Sequence, residues 1–448
     1  MMKHSLKKLT GRRSFLGATA GLIGAGFWAD ETLDAAVQNV NTNSKPSELK
    51  ITDMRIADLP NRPIIRLDTN QGIYGLGEVR DGASKTYALM LKRLVVGENP
   101  CNVDKIFRKI KQFGFHARQA GGVCGIEMAL WDLAGKAYNV PIYQMLGGKF
   151  RDRIRIYADT PMARDPQQFE ARIKKRLSDG FTFLKLDVGI GILRNTPGTI
   201  SAPVGMSMAE ANTIEHTFTG IEITDKGIAM MADYVARVRD AVGMDIPLGT
   251  DHYGHIGVNS CIRLGKAFQK FNLAWMEDFI PWYHTDLLKK ITDAIDVPTL
   301  TGEDIYLKEP FEKLCREHAV DIIQPDLASS GGILETHKIG DMAQEYGVPM
   351  VLHMAGSPIS AMASVHCAAA TENFLVCENH SVDDPAWGDI VDGIEKPVVN
   401  KGFTKVPDGP GLGITLNEEA LKKQVRGGYF EPTPEWDRKE RINDRLWS

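Results

Sequence analysis

The sequence predicts an α/β protein: a closed β/α barrel of the TIM type with an α+β cap, formed by the N-terminal region and the returning C-terminal segment. The barrel is predicted first by an interval. Asp251, Glu277 and Glu303 each close an apolar run and stand 26 residues apart, about the length of one strand, one helix and two short loops. The interval continues through Asp326, His353 and Glu378, at steps of 23, 27 and 25 residues. The cap is predicted by residues 49–150, which read as short strands and then helices before the repeat begins.

Residues 1–36 read as a signal segment. Lys3, Lys7, Lys8, Arg12 and Arg13 precede an apolar stretch, Ser14–Ala29, that glycines dilute. Thr-Gly-Arg-Arg-Ser-Phe-Leu (10–16) resembles the twin-arginine export motif, so the expected destination is the periplasm. Residues 37–48 form a linker, with the cut expected near Ala35-Ala36.

Residues 49–78 then read as three strands, with turns at Leu-Pro-Asn-Arg-Pro and Thr-Asn-Gln-Gly. Residues 84–146 are helical, and Val123, Ile126, Ala129, Leu130, Leu133 and Ala134 share one face. The barrel spans 151–390, with strands at 153–159, 181–187, 245–251, 273–277, 298–303, 321–326, 349–353 and 373–378. The insert 189–222, carrying Arg194 and His216, is longer than most βα connections and is expected at the barrel mouth. Residues 391–448 pack back on the cap through the Pro/Gly-rich loop Val406–Gly413.

A net charge of −4 argues against nucleic acid as a partner. No apolar run reaches the length of a stable membrane span. The six cysteines show no metal spacing and propose no disulfide. The expected assembly is a homo-oligomer.

In a β/α barrel the C-terminal strand ends converge on one face, where chemistry occurs. Three carboxylates converging there repel one another unless a cation lies between them. Hard oxygen ligands suit Mg²⁺, so Asp251, Glu277 and Glu303 are the candidate metal ligands. Lys185 and Asp187 are alternate residues of one strand and point the same way, so they either pair with each other or bind substrate hydroxyls. Trp282 and Trp387 follow the fourth and eighth strands, where each either stacks on a substrate or packs in the core. His353 has the alternative reading of a core histidine, and Lys185 that of a structural lysine in the barrel floor.

Several motifs together carry a resemblance: Gly72-Ile-Tyr-Gly-Leu-Gly-Glu78, Ala129-Leu-Trp-Asp-Leu-Ala-Gly-Lys136 with Gly147-Gly148, the acidic ladder, Gln324-Pro-Asp326 with Ser330-Gly-Gly332, and Val406–Gly413. On these the chain is similar to the enolase superfamily, in its mandelate racemase/muconate lactonizing branch. The resemblance implies a metal at Asp251, Glu277 and Glu303, a His353–Asp326 dyad, and Glu378 against a substrate carboxylate. It implies a reaction that begins with loss of the proton α to that carboxylate, through a metal-stabilised enediolate.

The chain departs from the branch's racemases, which carry Lys-x-Lys on the second strand, because here the pair is Lys185-Leu-Asp187. Lys-x-Asp looks similar to the galactonate-dehydratase-like group, which implies Mg²⁺-dependent dehydration of an acid sugar to a 2-keto-3-deoxy acid. Those enzymes often place an acid in Asp-x-His after the third strand. This chain reads Asp251-His-Tyr-Gly-His255, which leaves the acid open among His252, Tyr253 and His255. If His353 is not the base, Lys185 is the next candidate. The rival outcomes are epimerisation or cycloisomerisation of the same enolate. A non-catalytic sugar-binding barrel is a more remote alternative, and the absence of His-x-His from 153–159 disfavours a metal hydrolase.

Overall fold

The computed structural model describes residues 45–437, apart from 116, 162, 164–165, 194–195, 203–219, 252 and 254–255. The signal segment 1–36, most of the linker, Arg194, His216, His252 and His255 lie outside the described residues.

The chain first folds as an antiparallel meander of β1 (Ile51–Ala57), β2 (Ile64–Thr69) and β3 (Tyr74–Glu78). Helix α1 (Ala117–Tyr138) packs on β3, burying Val123, Ile126, Ala129, Leu130, Leu133 and Ala134. The approach is close because β3 carries glycines. A Cβ at Gly75 or Gly77 would overlap the backbone carbonyls of Ala129 and Gly125.

Eight parallel strands follow: β4 (Arg153–Ala158), β5 (Leu184–Asp187), β6 (Leu248–Asp251), β7 (Trp275–Glu277), β8 (Thr299–Thr301), β9 (Ile322–Ile323), β10 (Met350–Leu352) and β11 (Phe374–Asn379). Each pairs with its neighbour, and β11 pairs with β4 to close the barrel. Helices α2 (Pro166–Ser178), α3 (Asp225–Val242), α4 (Val258–Phe268), α5 (Thr285–Thr292), α6 (Lys308–Glu317), α7 (Gly332–Glu345) and α8 (Pro358–Ala370) lie between successive strands. Among the described residues, no helix is long and apolar enough to cross a membrane.

The strand period of two sorts the barrel interior into layers. Tyr157, Phe183, Trp275, Ile322, Val351 and Val376 form one buried apolar cluster. Two residues further along each of these strands stand Asp159, Lys185, Glu277, Gln324, His353 and Glu378. The apolar floor therefore gives way to a charged layer at one level. Strand β9 is shorter than the apolar run 321–326. Its continuation leaves the ladder because Asp326 caps the short helix Leu327–Ser330, with Oδ1 accepting from the Ala328 N–H at 2.6 Å.

The C-terminal segment touches both parts. Strand β12 (Phe403–Lys405) pairs antiparallel with β4. The Leu412 N–H donates to Asp132 of α1 at 2.9 Å. Further on, Phe430 N–H donates to the Ile56 carbonyl at 3.0 Å, and Asp58 N–H to the Gly428 carbonyl at 2.9 Å.

Candidate active site

Strands β5 to β7 bring Lys185, Asp251 and Glu277 together. Asp187 and Asp251 are register partners. The Lys185 ammonium, 1% exposed, lies 2.9 Å from Asp251 Oδ2, 2.6 Å from Glu378 Oε1 and 3.8 Å from Glu277 Oε1. Burial alone would lower the pKa of this amine. Asp251, Glu277 and Glu378 outweigh burial and hold it well above the usual lysine range.

Glu277 is fully buried. Its Oε2 accepts from Trp275 Nε1 at 3.1 Å, while Oε1 accepts no hydrogen bond among the described residues. Burial, followed by the Asp251 charge, pushes its carboxyl well up. Asp278, next in sequence, turns the same way because its backbone adopts φ of 49°. Asp251, Glu277 and Asp278 offer ligand atoms within 4.8 Å of one another. Burial and the charges of Glu303 and Asp251 push the Asp278 carboxyl up to about 8. A buried, mutually repelling carboxylate group with an undonated oxygen fits a hard divalent cation. Sequence reasoning passed over Asp278, since consecutive residues of a regular strand face opposite ways.

Glu303 stands two residues past β8, beyond Gly302, whose φ of 149° and contact with the Gln324 backbone leave no room for a side chain. Its oxygens face Arg80 Nη2 at 3.4 Å and His353 Nε2 at 3.2 Å. His353 and Asp326 come from adjacent strand ends joined by a β-bridge. His353 Nδ1 is 2.5 Å from Asp326 Oδ2, so Nε2 is the nitrogen that looks into the mouth. Burial opposes the imidazolium. Glu303, Glu378 and the Asp326 hydrogen bond prevail over burial and Arg80, and the His353 pKa rises to about 9.

Arg80 was not found from sequence. It follows β3 of the cap, is 1% exposed, and reaches across to the barrel. Its Nη1 donates to Asp326 Oδ2 at 2.8 Å and lies 3.2 Å from His353 Nδ1. Burial favours the neutral Asp326 carboxyl, but Arg80 and His353 keep it below its usual pKa.

Glu378 sits at the centre of the mouth, fully buried. It contacts Lys185, His380 Nε2 at 3.2 Å, Gln324 Nε2 at 3.5 Å and His353 Nε2 at 3.7 Å. His380, also missed from sequence, lies two residues beyond Glu378 and so shares its register. The other candidates are more peripheral. The buried Tyr253 ring packs against Phe268 and Phe279. Trp387 donates from its indole to the Gly356 carbonyl at 3.0 Å and is 7% exposed. Trp282 is half-buried against the main core and meets Tyr283 edge to face.

Comparison with known proteins decides the ancestry of this site. The family model described as "Enolase C-terminal domain-like" matches residues 168–420. That described as "Mandelate racemase / muconate lactonizing enzyme, N-terminal domain" matches residues 32–147. The chain belongs to the enolase superfamily, in its mandelate racemase/muconate lactonizing branch.

Among superfamily relatives, a D-xylonate dehydratase of Haloferax volcanii is 31% identical, over 89% of this chain and 93% of its own. A D-galactonate dehydratase of Pectobacterium atrosepticum is 27% identical, over 87% of this chain and 97% of its own. These relatives mark the chain as a hydro-lyase. A crystal structure of a mandelate racemase/muconate lactonizing enzyme-like protein from Rubrobacter xylanophilus superposes with a TM-score of 0.75. It is 29% identical, over 85% of this chain and 99% of that one.

Proposed function

We propose that this hydro-lyase removes water from a sugar acid, with Mg²⁺, to give a 2-keto-3-deoxy acid. The observation that carries this reading is the His353–Asp326 pair at 2.5 Å, set beside Glu378, which the Lys185 ammonium meets at 2.6 Å. The proton α to a carboxylate is weakly acidic, and a base oriented by a partner is the group suited to remove it. Asp326 fixes the His353 tautomer, so Nε2 takes the C2 proton. Lys185 and Glu378 face the place where the substrate carboxylate then gains charge. Held among Asp251, Glu277 and Glu303, with Asp278 beside them, Mg²⁺ would offset that second negative charge and draw off the Glu303 field acting on His353.

Epimerisation would need a second base on the opposite face. Lys185 stands there, but its ammonium is engaged by Asp251 and Glu378. That favours dehydration. The test incubates D-xylonate, D-galactonate and D-gluconate with the protein and Mg²⁺, and reads 2-keto-3-deoxy product. Turnover of at least one acid, abolished by chelation, is expected. C2 epimer without keto product would overturn the reading.

We also propose export by the twin-arginine route, motivated by Arg12-Arg13 before Phe15-Leu16. Replacing both arginines by lysine should leave uncleaved protein in the cytoplasm of a twin-arginine-competent host. Unchanged periplasmic delivery, read by fractionation and immunoblot, would show a different route.

A further inference from the structure

Dehydration needs two proton transfers on adjacent carbons. His353 accounts for the one at C2. A hydroxide leaves C3 slowly unless it is protonated as it departs, so an acid must stand near the base. We propose that His380 is that acid and that Asp159 positions it; the proposal rests on the dehydratase reading above.

Four observations support the assignment. His380 is the first residue past β11, two beyond the inward-facing Glu378, and its ring meets Glu378 at 3.2 Å. Its side chain is 34% exposed, against 4% for His353 and none for Glu378, so it is the open member of this group. The two imidazoles stand with centroids 5.3 Å apart at 60°. Both present Nε2 to Glu378, at 3.2 Å from His380 and 3.7 Å from His353. They therefore serve one side of one ligand, the arrangement a syn elimination across neighbouring carbons uses.

The fourth observation is the partner on the far nitrogen. His380 Nδ1 faces Asp159 Oδ2 at 3.5 Å, as His353 Nδ1 faces Asp326. Asp159 directly follows β4, His380 directly follows β11, and the two strands pair up to Ala158 and Asn379, so barrel closure itself brings acid and partner together. Carboxylates on both nitrogens favour the imidazolium, the form an acid requires. Burial alone would lower the His380 pKa; Glu378 and Asp159 prevail and raise it. Among the described residues, the alternative donors are less suited. The Tyr253 ring is in an aromatic cluster, and the Lys185 ammonium is held by two carboxylates.

The step balances without a co-reactant. The C2–H bond breaks and its proton passes to His353. The C3–O bond breaks with its electron pair on oxygen, His380 supplies a proton, and water leaves. The enol takes a solvent proton at C3, gives up its C2 hydroxyl proton to solvent, and becomes the 2-keto-3-deoxy acid. His353 then releases a proton to solvent, and His380 regains one from it.

The test uses the full-length protein with Mg²⁺ and whichever of D-xylonate, D-galactonate or D-gluconate the wild type turns over, followed by proton NMR in D₂O. His380→Asn should lower dehydration about 10²- to 10⁴-fold, the usual share of a general acid, while C2 exchange with solvent persists. Asp159→Asn should show the same split to a smaller extent. His353→Asn should lose both processes.

The 3-deoxy-3-fluoro analogue of the same acid adds a readout that a structural role would not move. Fluoride departs without a proton, so fluoride release by His380→Asn should return to within roughly tenfold of wild type. Dehydration at the wild-type rate, or exchange and dehydration lost together with no relief by the fluoro analogue, would overturn the assignment. Absence of keto product from the wild type with all three acids would instead remove the dehydratase reading, and this proposal with it.

Discussion

At the scale of the residue, the dyad is held from outside the barrel. Arg80 is buried, and its guanidinium spans Asp326 at 2.8 Å and Glu303 at 3.4 Å. A lysine carries the same charge as a point on a flexible stem and cannot span both carboxylates at once. Arg80→Lys should therefore leave the fold intact and lower kcat/KM about 10- to 100-fold, the range for a group that orients reacting partners. Arg80→Met should also destabilise, by about 3–5 kcal/mol, because it strands a buried Asp326 charge. Steady-state kinetics and thermal denaturation check the pair, and an Arg80→Lys variant with wild-type kcat/KM would remove the positioning role. Sequence could not have found Arg80, whose partners in the site lie 246 and 223 residues away with no local pattern to announce them. The ladder of Asp251, Glu277, Asp326, His353 and Glu378 was legible because a polar residue ending an apolar run carries its own register. His380 was recoverable by the same rule, as Glu378 plus two; Asp278 was not, since its left-handed backbone appears only in three dimensions.

At the scale of the element, the cap fastens itself to the helices that follow the dyad strands. Glu127 of α1 accepts from the Ile333 and Leu334 N–H groups at 2.6 and 3.1 Å, at the start of α7. Glu78 of β3 accepts from the Ser357 N–H at 2.9 Å, at the start of α8. First-turn N–H groups have no partner within their own helix, so a carboxyl oxygen beside them satisfies donors that burial would otherwise strand. Helices α7 and α8 follow Asp326 and His353 in sequence, so the cap sets the elements that support the dyad. Glu127→Ala leaves the buried Ile333 N–H and the part-buried Leu334 N–H and Trp131 indole N–H without this partner and should destabilise by about 2–4 kcal/mol. Urea unfolding measures this, and a change below about 0.5 kcal/mol, the scale of an ordinary surface substitution, would show that α7 needs no anchor from the cap. The apolar face of α1 could be read from its spacing, and the structure buries it. What the motif's acids do could not be read. Asp132 accepts from Leu76 N–H and Leu412 N–H, each at 2.9 Å, so one carboxylate ties β3 and the C-terminal loop to α1. The strand in the run 321–326 was overestimated for a related reason, because Asp326 caps a helix and ends the ladder before the apolar run ends.

At the scale of the whole molecule, cap, barrel and C-terminal segment meet around one buried imidazole. His366 of α8 is fully buried; its Nδ1 accepts from the Tyr143 N–H at 3.4 Å, and the two rings stack at 5.8 Å. The Tyr143 hydroxyl donates in turn to Asp408 of the C-terminal loop at 2.9 Å. Burial pushes the His366 pKa down from 6.5 to about 4, against a smaller upward pull from the Leu412 backbone and Asp408. The sign follows from proton binding. Between pH 6.5 and about 4 the unfolded chain holds this proton and the folded chain does not, so stability falls as pH falls through that window. Above pH 6.5 the contribution is fully present. A shift of this size corresponds to something on the order of 3 kcal/mol across the window. His366→Asn keeps an acceptor for the Tyr143 N–H and does not titrate. It should be less stable than wild type at pH 7 because the packed ring is lost. Its unfolding free energy should nevertheless fall by roughly 2–3 kcal/mol less than that of wild type on going from pH 7 to pH 4.5. Urea denaturation at the two pH values measures the difference, and parallel losses in both proteins would mean that this seam does not sense protons.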